Sequence, residues 1–358
     1  MRGGYLRDKL WIRPVPSVYS PEQIRLYLSK VGWKDIPEDV TRIPRSIELV
    51  EKLIRHHLLT FPWDNVGMHY TEDHHMDVSP QGVYDLLVRG GQGSYCFGQN
   101  TVLLGILRGL GYRAYSGAAR TNQNWDRLDA PIDYVSHTHM VVFVQPDDES
   151  NLTYVVDVGF GSGGLVRPIP LVAGEDSMVM GIGPTEVHRL IRAPLPQSSL
   201  SAFAVDLRFA TTDRLVATSL SSNGPSGQEL WTLQSWTGTK ADVGTHANGP
   251  WKLIYSFSEL EFFPFDATDG SFVVAKSTAG LFASQVLCAK LFEDEEGKLY
   301  RKTLYGNEVK KHVDGEVEVI RTLHSELDRV RALREIFGLK IEDKAVEHIK
   351  GRLPAFQT

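Results

Sequence analysis

Cysteine is scarce. The 358 residues contain two, Cys96 and Cys288, which excludes a disulfide scaffold and points to a reducing compartment. Long apolar runs are missing: no stretch approaches the roughly 20 residues that a helix needs to cross a bilayer. Residues 1–14 carry no apolar segment of the signal-peptide kind. Basic runs are almost absent, Lys310-Lys311 being the longest cluster, and 38 basic against 44 acidic residues leave a net charge of −6. That balance speaks against nucleic acid as a partner. The expectation is a cytoplasmic protein with no membrane contact. What is present is ordinary globular composition, 42% hydrophobic and 23% charged, in a chain long enough to bury a large core unaided.

The apolar pattern changes period along the chain. Ser20-Pro21 reads as a cap with proline at the first helical position, and Ile24, Leu28 and Val31 follow at helical spacing. Residues 46–59 repeat the pattern with Ile47, Val50, Ile54 and Leu58, and Pro62 closes the run. A third helix begins just after Cys96, with Val102, Leu103, Ile106, Leu107 and Leu110 as its apolar face. From Ala114 the period becomes two. Strands are expected over 114–120, 138–145, 153–158, 202–208, 230–234 and 252–256, joined without helices, which predicts an antiparallel sheet or barrel. Residues 219–228 read as a polar loop. The last hundred residues read as a helix over 282–291, strands over 299–304 and 317–322, and a helix over 325–337 closed by Gly338.

Residues 159–164, GFGSGG, satisfy the dinucleotide fingerprint G-x-G-x-x-G after a strand-like run. That site also needs a helix to follow, so that N–H groups can hold a pyrophosphate. Pro168 and Pro170 come next at alternate positions, and such a segment cannot continue as a helix. The dinucleotide reading fails on context.

Cys96 follows a glycine-rich stretch, Gly90-Gly91-Gln92-Gly93, and precedes an apolar helical pattern. The positive end of a helix favours a thiolate at that position. Cys288, between Leu287 and Ala289, reads as a small buried hydrophobe. A thiolate nucleophile needs a base, and the base needs an orienting group. His139 and Asp157 flank the turn composition of residues 146–151. If that turn is centred on Asp148, the two are direct cross-strand neighbours, about 4.5–5.5 Å apart at Cβ. Val141, Phe143, Val155 and Thr153 then share their face. His137, two residues before His139, is a rival base, and an aspartate between Val155-Val156 and Val158 needs a partner if buried.

With these residues in place, the chain resembles the arylamine N-acetyltransferase family. The family signature R-G-G-x-C-x-x-x-N is similar to residues 91–100. Its histidine and apolar strand resemble His139 to Val144, and its D-x-G-F-G element resembles Asp157-Val158-Gly159-Phe160-Gly161. Upstream, residues 61–70 (FPWDNVGMHY) are similar to its P-F-E-N-x-x-M-H segment. Ser277-Thr278, Phe282, Cys288 and residues 322–326 echo its last domain. The resemblance implies an α+β fold: an N-terminal helical bundle over 1–112 carrying the nucleophile, a central antiparallel β-barrel over 113–258 carrying His and Asp, and a C-terminal α/β lid over 259–358. It implies ping-pong acyl transfer from acetyl-CoA or malonyl-CoA to an aromatic amine, hydroxylamine or hydrazine, in xenobiotic metabolism. Cys96 would take the acyl group, His139 would be its base and Asp157 would orient His139, while Phe160 and Phe282 would line the acceptor pocket. Acyl-CoA is then a co-substrate, with no permanent cofactor and no metal.

The chain departs from the pattern in places. Gln92 stands where the family has arginine, and Asp64 where it has the partnering glutamate; a buried Asp64 would need another cation, with Arg89 in range. Gly98 stands two after the cysteine, and the loop before Phe282 lacks the family's proline. Extra length is expected around 121–136 and 213–249, as in extended fungal members, some of which prefer malonyl-CoA. Two alternatives remain open from the residues: a papain- or transglutaminase-like cysteine hydrolase, and an inactive family member serving as a binding module.

Overall fold

The computed structural model describes residues 4–200, 229–246 and 249–357. The expected strand 202–208 and the polar loop 219–228 lie outside the described residues. The helical part holds α1 (Pro21–Lys30), α2 (Ile47–Thr60), a two-residue strand β1 (Trp63–Asp64), the short helices α3 (Gly67–Tyr70) and α4 (Pro80–Tyr84), and α5 (Cys96–Gly109). Ser20 and Gln23 form a capping box on α1, and Ser46 caps α2 by accepting from the Leu49 N–H. Helix α5 is buried nearly all round, as a helix at the centre of a core must be.

A nearly closed antiparallel barrel follows: β2 (Arg113–Thr121), β3 (His139–Gln145), β4 (Tyr154–Val156), β5 (Ile169–Pro170), β6 (Val179–Met180), β7 (Glu186–Pro194), β8 (Glu229–Thr237) and β9 (Lys252–Glu261). Their order is β5-β4-β3-β2-β9-β8-β7-β6. Strand β3 is an unbroken apolar run because both its faces are covered. Met140, Val142 and Val144 pack into the helical core with α5, whereas Val141 and Phe143 point into the barrel core. Strand β8 lies within 213–249, so that tract is in part a barrel strand and not simply added length.

The remainder holds α6 (Pro264–Lys276), α7 (Leu281–Ser284), strands β10 (Leu287–Glu293), β11 (Leu299–Tyr305), β12 (Glu308–Val313) and β13 (Glu316–Thr322), then α8 (Glu326–Phe337) and α9 (Val346–Ile349). The second sheet runs β1-β10-β11-β12-β13. The helix expected over 282–291 is therefore a single turn followed by a strand. Gln285 is already extended, and Leu287 to Glu293 pair with β11 along their whole length. Ser325 caps α8, and Gly338 ends it at φ +79°, the left-handed conformation that glycine adopts at no steric cost.

Candidate active site

Helix α5 delivers Cys96 as its first residue, 5% exposed, with no side-chain cap ahead of it. The Cys96 Sγ lies 3.7 Å from the Thr138 carbonyl, so the thiol faces the start of β3. His139 is the first residue of that strand and is buried. Its Nε2 hydrogen-bonds Asp157 Oδ2 at 2.7 Å, and the Cys96 thiol is the other polar neighbour of the ring. With Nε2 committed to Asp157, Nδ1 is the nitrogen left for the thiol. His137 is exposed at the rim, and it is His139 that meets Asp157.

The hairpin differs from the expected register. Val142 pairs with Val156 and Phe143 with Val155, which centres the turn on Glu149 and sets Asp157 opposite Val141, one diagonal step from His139. The turn is displaced because Arg113 donates to the Asp147 and Ser150 carbonyls, and the Gln145 amide donates to Asn151 O and Thr153 Oγ1. A slip of two leaves every side chain on its face, so the pair still meets, as a diagonal contact within the reach of long side chains.

Asp157 is fully satisfied. Its Oδ1 accepts from Asn100 Nδ2 at 2.9 Å and from the Gly159 N–H at 2.8 Å. Burial alone would raise its pKa, but the His139 charge and these hydrogen bonds hold it below the usual carboxylate range. The same balance runs the other way on His139: burial alone would lower its pKa, and the Asp157 charge and hydrogen bond, helped by Cys96, lift it well above the usual imidazole range. Tyr255 of β9 lies with its ring 5.0 Å from His139. Its buried hydroxyl, raised by burial and by the Asp157 charge, makes no hydrogen bond of ordinary geometry.

A further aromatic ring borders this pair, and a second aromatic group gathers around Tyr95 beside Cys96. Half-buried Phe160 stands edge-on to His139 at 5.5 Å and against Trp125 at 5.4 Å. Trp125 comes from the 121–136 segment, which Asn122 folds back by accepting from the Asn124 and Asp133 N–H groups. Phe282 of α7 lies 5.9 Å from Tyr95 and 5.8 Å from Trp63. The glycine-rich run 159–164 serves close approach. A Cβ on Gly159 would stand 2.5 Å from Cys96 Cα, and one on Gly163 would stand 2.5 Å from the Trp125 ring. A cavity of about 260 Å³ on another face of α5, lined by Leu104, Arg108 and Phe263 among others, includes none of these residues.

Asp64 is buried with one oxygen bonded to the Val66 N–H and the other unpartnered. Burial pushes its pKa up to about 7, against the pull of the Val66 hydrogen bond. Arg89 does not reach it, being paired at the surface with Asp85 at 2.7 Å, and Gln92 donates to the Lys340 carbonyl. Cys288 stands opposite Asp64 on β10, 1% exposed, its thiol raised by burial and by Asp64.

Three side chains at the site escaped prediction from sequence. Asn100 stands one helical turn after Cys96, inside the motif, and its i+4 spacing was the available signal. Asn65 donates to the Phe282 and Gln285 carbonyls and accepts from the Leu287 N–H, so it ties α7 to the helical part; it sits next to Asp64 in the FPWDN block. Tyr255 had no signal beyond strand alternation. Among the described residues, no group of three or more His, Cys, Asp or Glu side chains is placed to hold a metal ion. No helix among the described residues is long and apolar enough to cross a membrane.

A family model described as N-acetyltransferase matches residues 46–346. An N-malonyltransferase of Fusarium pseudograminearum is 27% identical over 353 residues, covering 94% of this chain and 93% of that protein. An arylamine N-acetyltransferase of Mycobacterium tuberculosis is 33% identical over 132 residues, 36% of this chain and 44% of that protein. Among solved structures, an M. smegmatis arylamine N-acetyltransferase superposes with a TM-score of 0.64 at 22% identity, over 92% of this chain and 94% of the other. The Mycobacterium marinum enzyme in complex with CoA superposes with a TM-score of 0.63 at 22% identity, over 88% and 92%.

Proposed function

Because the chain belongs to the arylamine N-acetyltransferase family, we propose that it transfers an acyl group from an acyl-CoA, through a thioester on Cys96, to an aromatic amine, hydroxylamine or hydrazine. The contact sequence Cys96–His139–Asp157 at the head of α5 is the observation that carries this reading. An N-malonyltransferase among the relatives makes malonyl-CoA a donor to consider beside acetyl-CoA.

His139, oriented by Asp157, takes the Cys96 proton. The thiolate attacks the thioester carbonyl. The new carbon–sulfur bond forms as the bond to coenzyme A breaks, and the departing thiolate takes the proton from His139. The uncapped first turn of α5 offers N–H groups to negative charge developing beside Cys96. In the second half the amine nitrogen attacks the Cys96 thioester, its proton passes to His139, and Cys96 leaves as thiolate. Exchanging one thioester for another is nearly balanced, and formation of the amide drives the sum. Phe160 and Phe282 are the faces on which a flat acceptor ring would rest. In this reading 1–112 supplies the nucleophile, 113–258 the base and its carboxylate, and 259–358 a lid anchored by Asn65. Two free cysteines suit a cytoplasmic enzyme of xenobiotic amine metabolism.

Intact mass spectrometry after mixing the protein with acetyl-CoA or malonyl-CoA, without amine, tests this. The expected result is an acyl-sized gain on Cys96 that disappears when an arylamine is added. No gain from either donor, with Cys96 still open to iodoacetamide, would overturn the proposal.

A further inference from the structure

A malonyl donor carries a carboxylate one carbon beyond the thioester that acetyl lacks, and bringing that charge into a half-buried cleft without a cation is unfavourable. The chain that leads into His139 carries His137, and β2 carries Arg120 to its neighbourhood. Cys96 Sγ faces Thr138 O at 3.7 Å. His137, the residue before, is exposed, and its carbonyl is 3.2 Å from the position of a Cβ on Gly270 of α6. Arg120 belongs to β2 and follows Ala119, the partner of His139. It is half-buried and donates Nη1 to the Val135 carbonyl at 3.2 Å.

Some buried or partly buried arginines have a carboxylate partner, and Arg120, like Arg108 and Arg189, has none among the described residues. Arg301 is matched by Glu186, Arg167 by Glu51 and Arg329 by Glu326. Its charge is felt at His137, where burial and Arg120 together disfavour a second positive charge. His137 is thus set to act as a neutral hydrogen-bond donor. A chain spans at most about 3.3–3.6 Å per residue, and 136–137 are bent, with the Thr138 N–H donating to Ser136 O at 2.7 Å, so Val135 lies within about 10 Å of Thr138, whose carbonyl faces the sulfur. A malonyl carboxylate extends about 4 Å from that sulfur, and a charge-assisted hydrogen bond spans about 2.8 Å more. A rotamer change of the long arginine side chain closes the difference.

We propose that Arg120, with His137 beside it, holds the distal carboxylate of the donor, so that the enzyme selects malonyl-CoA over acetyl-CoA. The inference rests on the acyl-transfer reading and adds its donor class. The test compares kcat/KM for the two donors, with one amine, in the wild type and in Arg120→Gln, Arg120→Lys and His137→Ala. Both donors carry the same coenzyme A, so the malonyl-to-acetyl ratio isolates the acyl group and is independent of the fraction of folded protein. The wild type is expected to favour malonyl-CoA. Arg120→Gln should lower the ratio about 10- to 100-fold, the range for losing a hydrogen bond between charged groups. Arg120→Lys should retain part of the preference, and His137→Ala should give a smaller fall. A wild type that favours acetyl-CoA, or a ratio unchanged in Arg120→Gln, overturns the inference and leaves the Cys96 thioester standing. Equal losses with both donors overturn it as well and assign Arg120 to the coenzyme A part. Absence of a Cys96 thioester from either donor overturns the acyl-transfer reading and this inference with it.

Discussion

Asn100 ties the helix that bears Cys96 to the carboxylate of Asp157, its side-chain amide 2.9 Å from Oδ1. The same amide donates to Met140 O on β3, and its carbonyl accepts from the Val158 N–H. One buried side chain thus fixes the strand that opens with His139, the segment that carries Asp157 and the head of α5 relative to one another. Asn100→Ala leaves buried groups on β3 and on the segment after β4 unpaired, at about 1–3 kcal/mol for each group, and should lower Tm by several degrees. It also removes a hydrogen bond that favours ionised Asp157. The acid limb of the pH–kcat/KM profile should therefore move to higher pH. A variant with lowered Tm and an unmoved acid limb would reduce Asn100 to a structural role.

The two cysteines should separate cleanly. Cys96→Ala should abolish transfer and acylation, because no other thiol faces His139. Cys288→Ala removes a buried sulfur opposite Asp64 and should keep most of the activity while lowering stability by about 1–2 kcal/mol, as small core truncations do. In the native protein iodoacetamide should label Cys96 before Cys288, whose thiol is held protonated by burial and by Asp64. Peptide mapping of the alkylated protein checks the order, and equal labelling would contradict the assignment.

Parity explains why the His139–Asp157 pair was legible in the sequence although its register was not. Residues on one face of a strand keep that face under any even slip, so apolar alternation around both residues identified a shared face without locating the turn. The turn itself answers to Arg113, distant in sequence, and to the side chain of Gln145 at the end of β3, whose reach no local pattern announces. Helix α6 was missed because Phe265, Phe272 and Val273 are exposed on it, so it lacks the buried stripe that marks a helix. Strand β12 was hidden because Lys310-Lys311 reads as a charge cluster, yet both residues sit in ladder positions opposite β11. The one-turn α7 and the following strand share an apolar run whose period cannot separate them.

The glycine-rich run after Asp157 yields a prediction that separates acceptor from donor. Gly163 leaves room for Trp125, and Trp125 in turn packs against Phe160. Gly163→Val would drive its side chain into the indole ring and shift that wall of the proposed acceptor pocket. The amine KM should rise about tenfold, the effect of about 1.4 kcal/mol of lost contact, while the rate at which malonyl-CoA or acetyl-CoA acylates Cys96 stays close to wild type. Stopped mass-spectrometric acylation beside steady-state amine kinetics reads the two separately. Equal loss in both would place Trp125 outside acceptor recognition.

Asp64 should make stability depend on pH in a direction opposite to most carboxylates. Its pKa is about 7 in the folded protein against an ordinary value of 3.8, so the folded state holds the proton more tightly than the unfolded one. Stability is then greatest below about pH 4, falls as the pH climbs from about 4 to 7, and levels off above that. Three units correspond to about 4 kcal/mol at most. Asp64→Asn keeps the shape and cannot ionise. Thermal melts of both proteins at pH 5 and pH 8 isolate this residue from the rest of the titration. The Asn variant should gain stability over wild type at pH 8, and most of that gain should vanish at pH 5. Curves that run parallel between the two pH values would show that a charged Asp64 is compensated by a cation and that the family's missing arginine has been replaced.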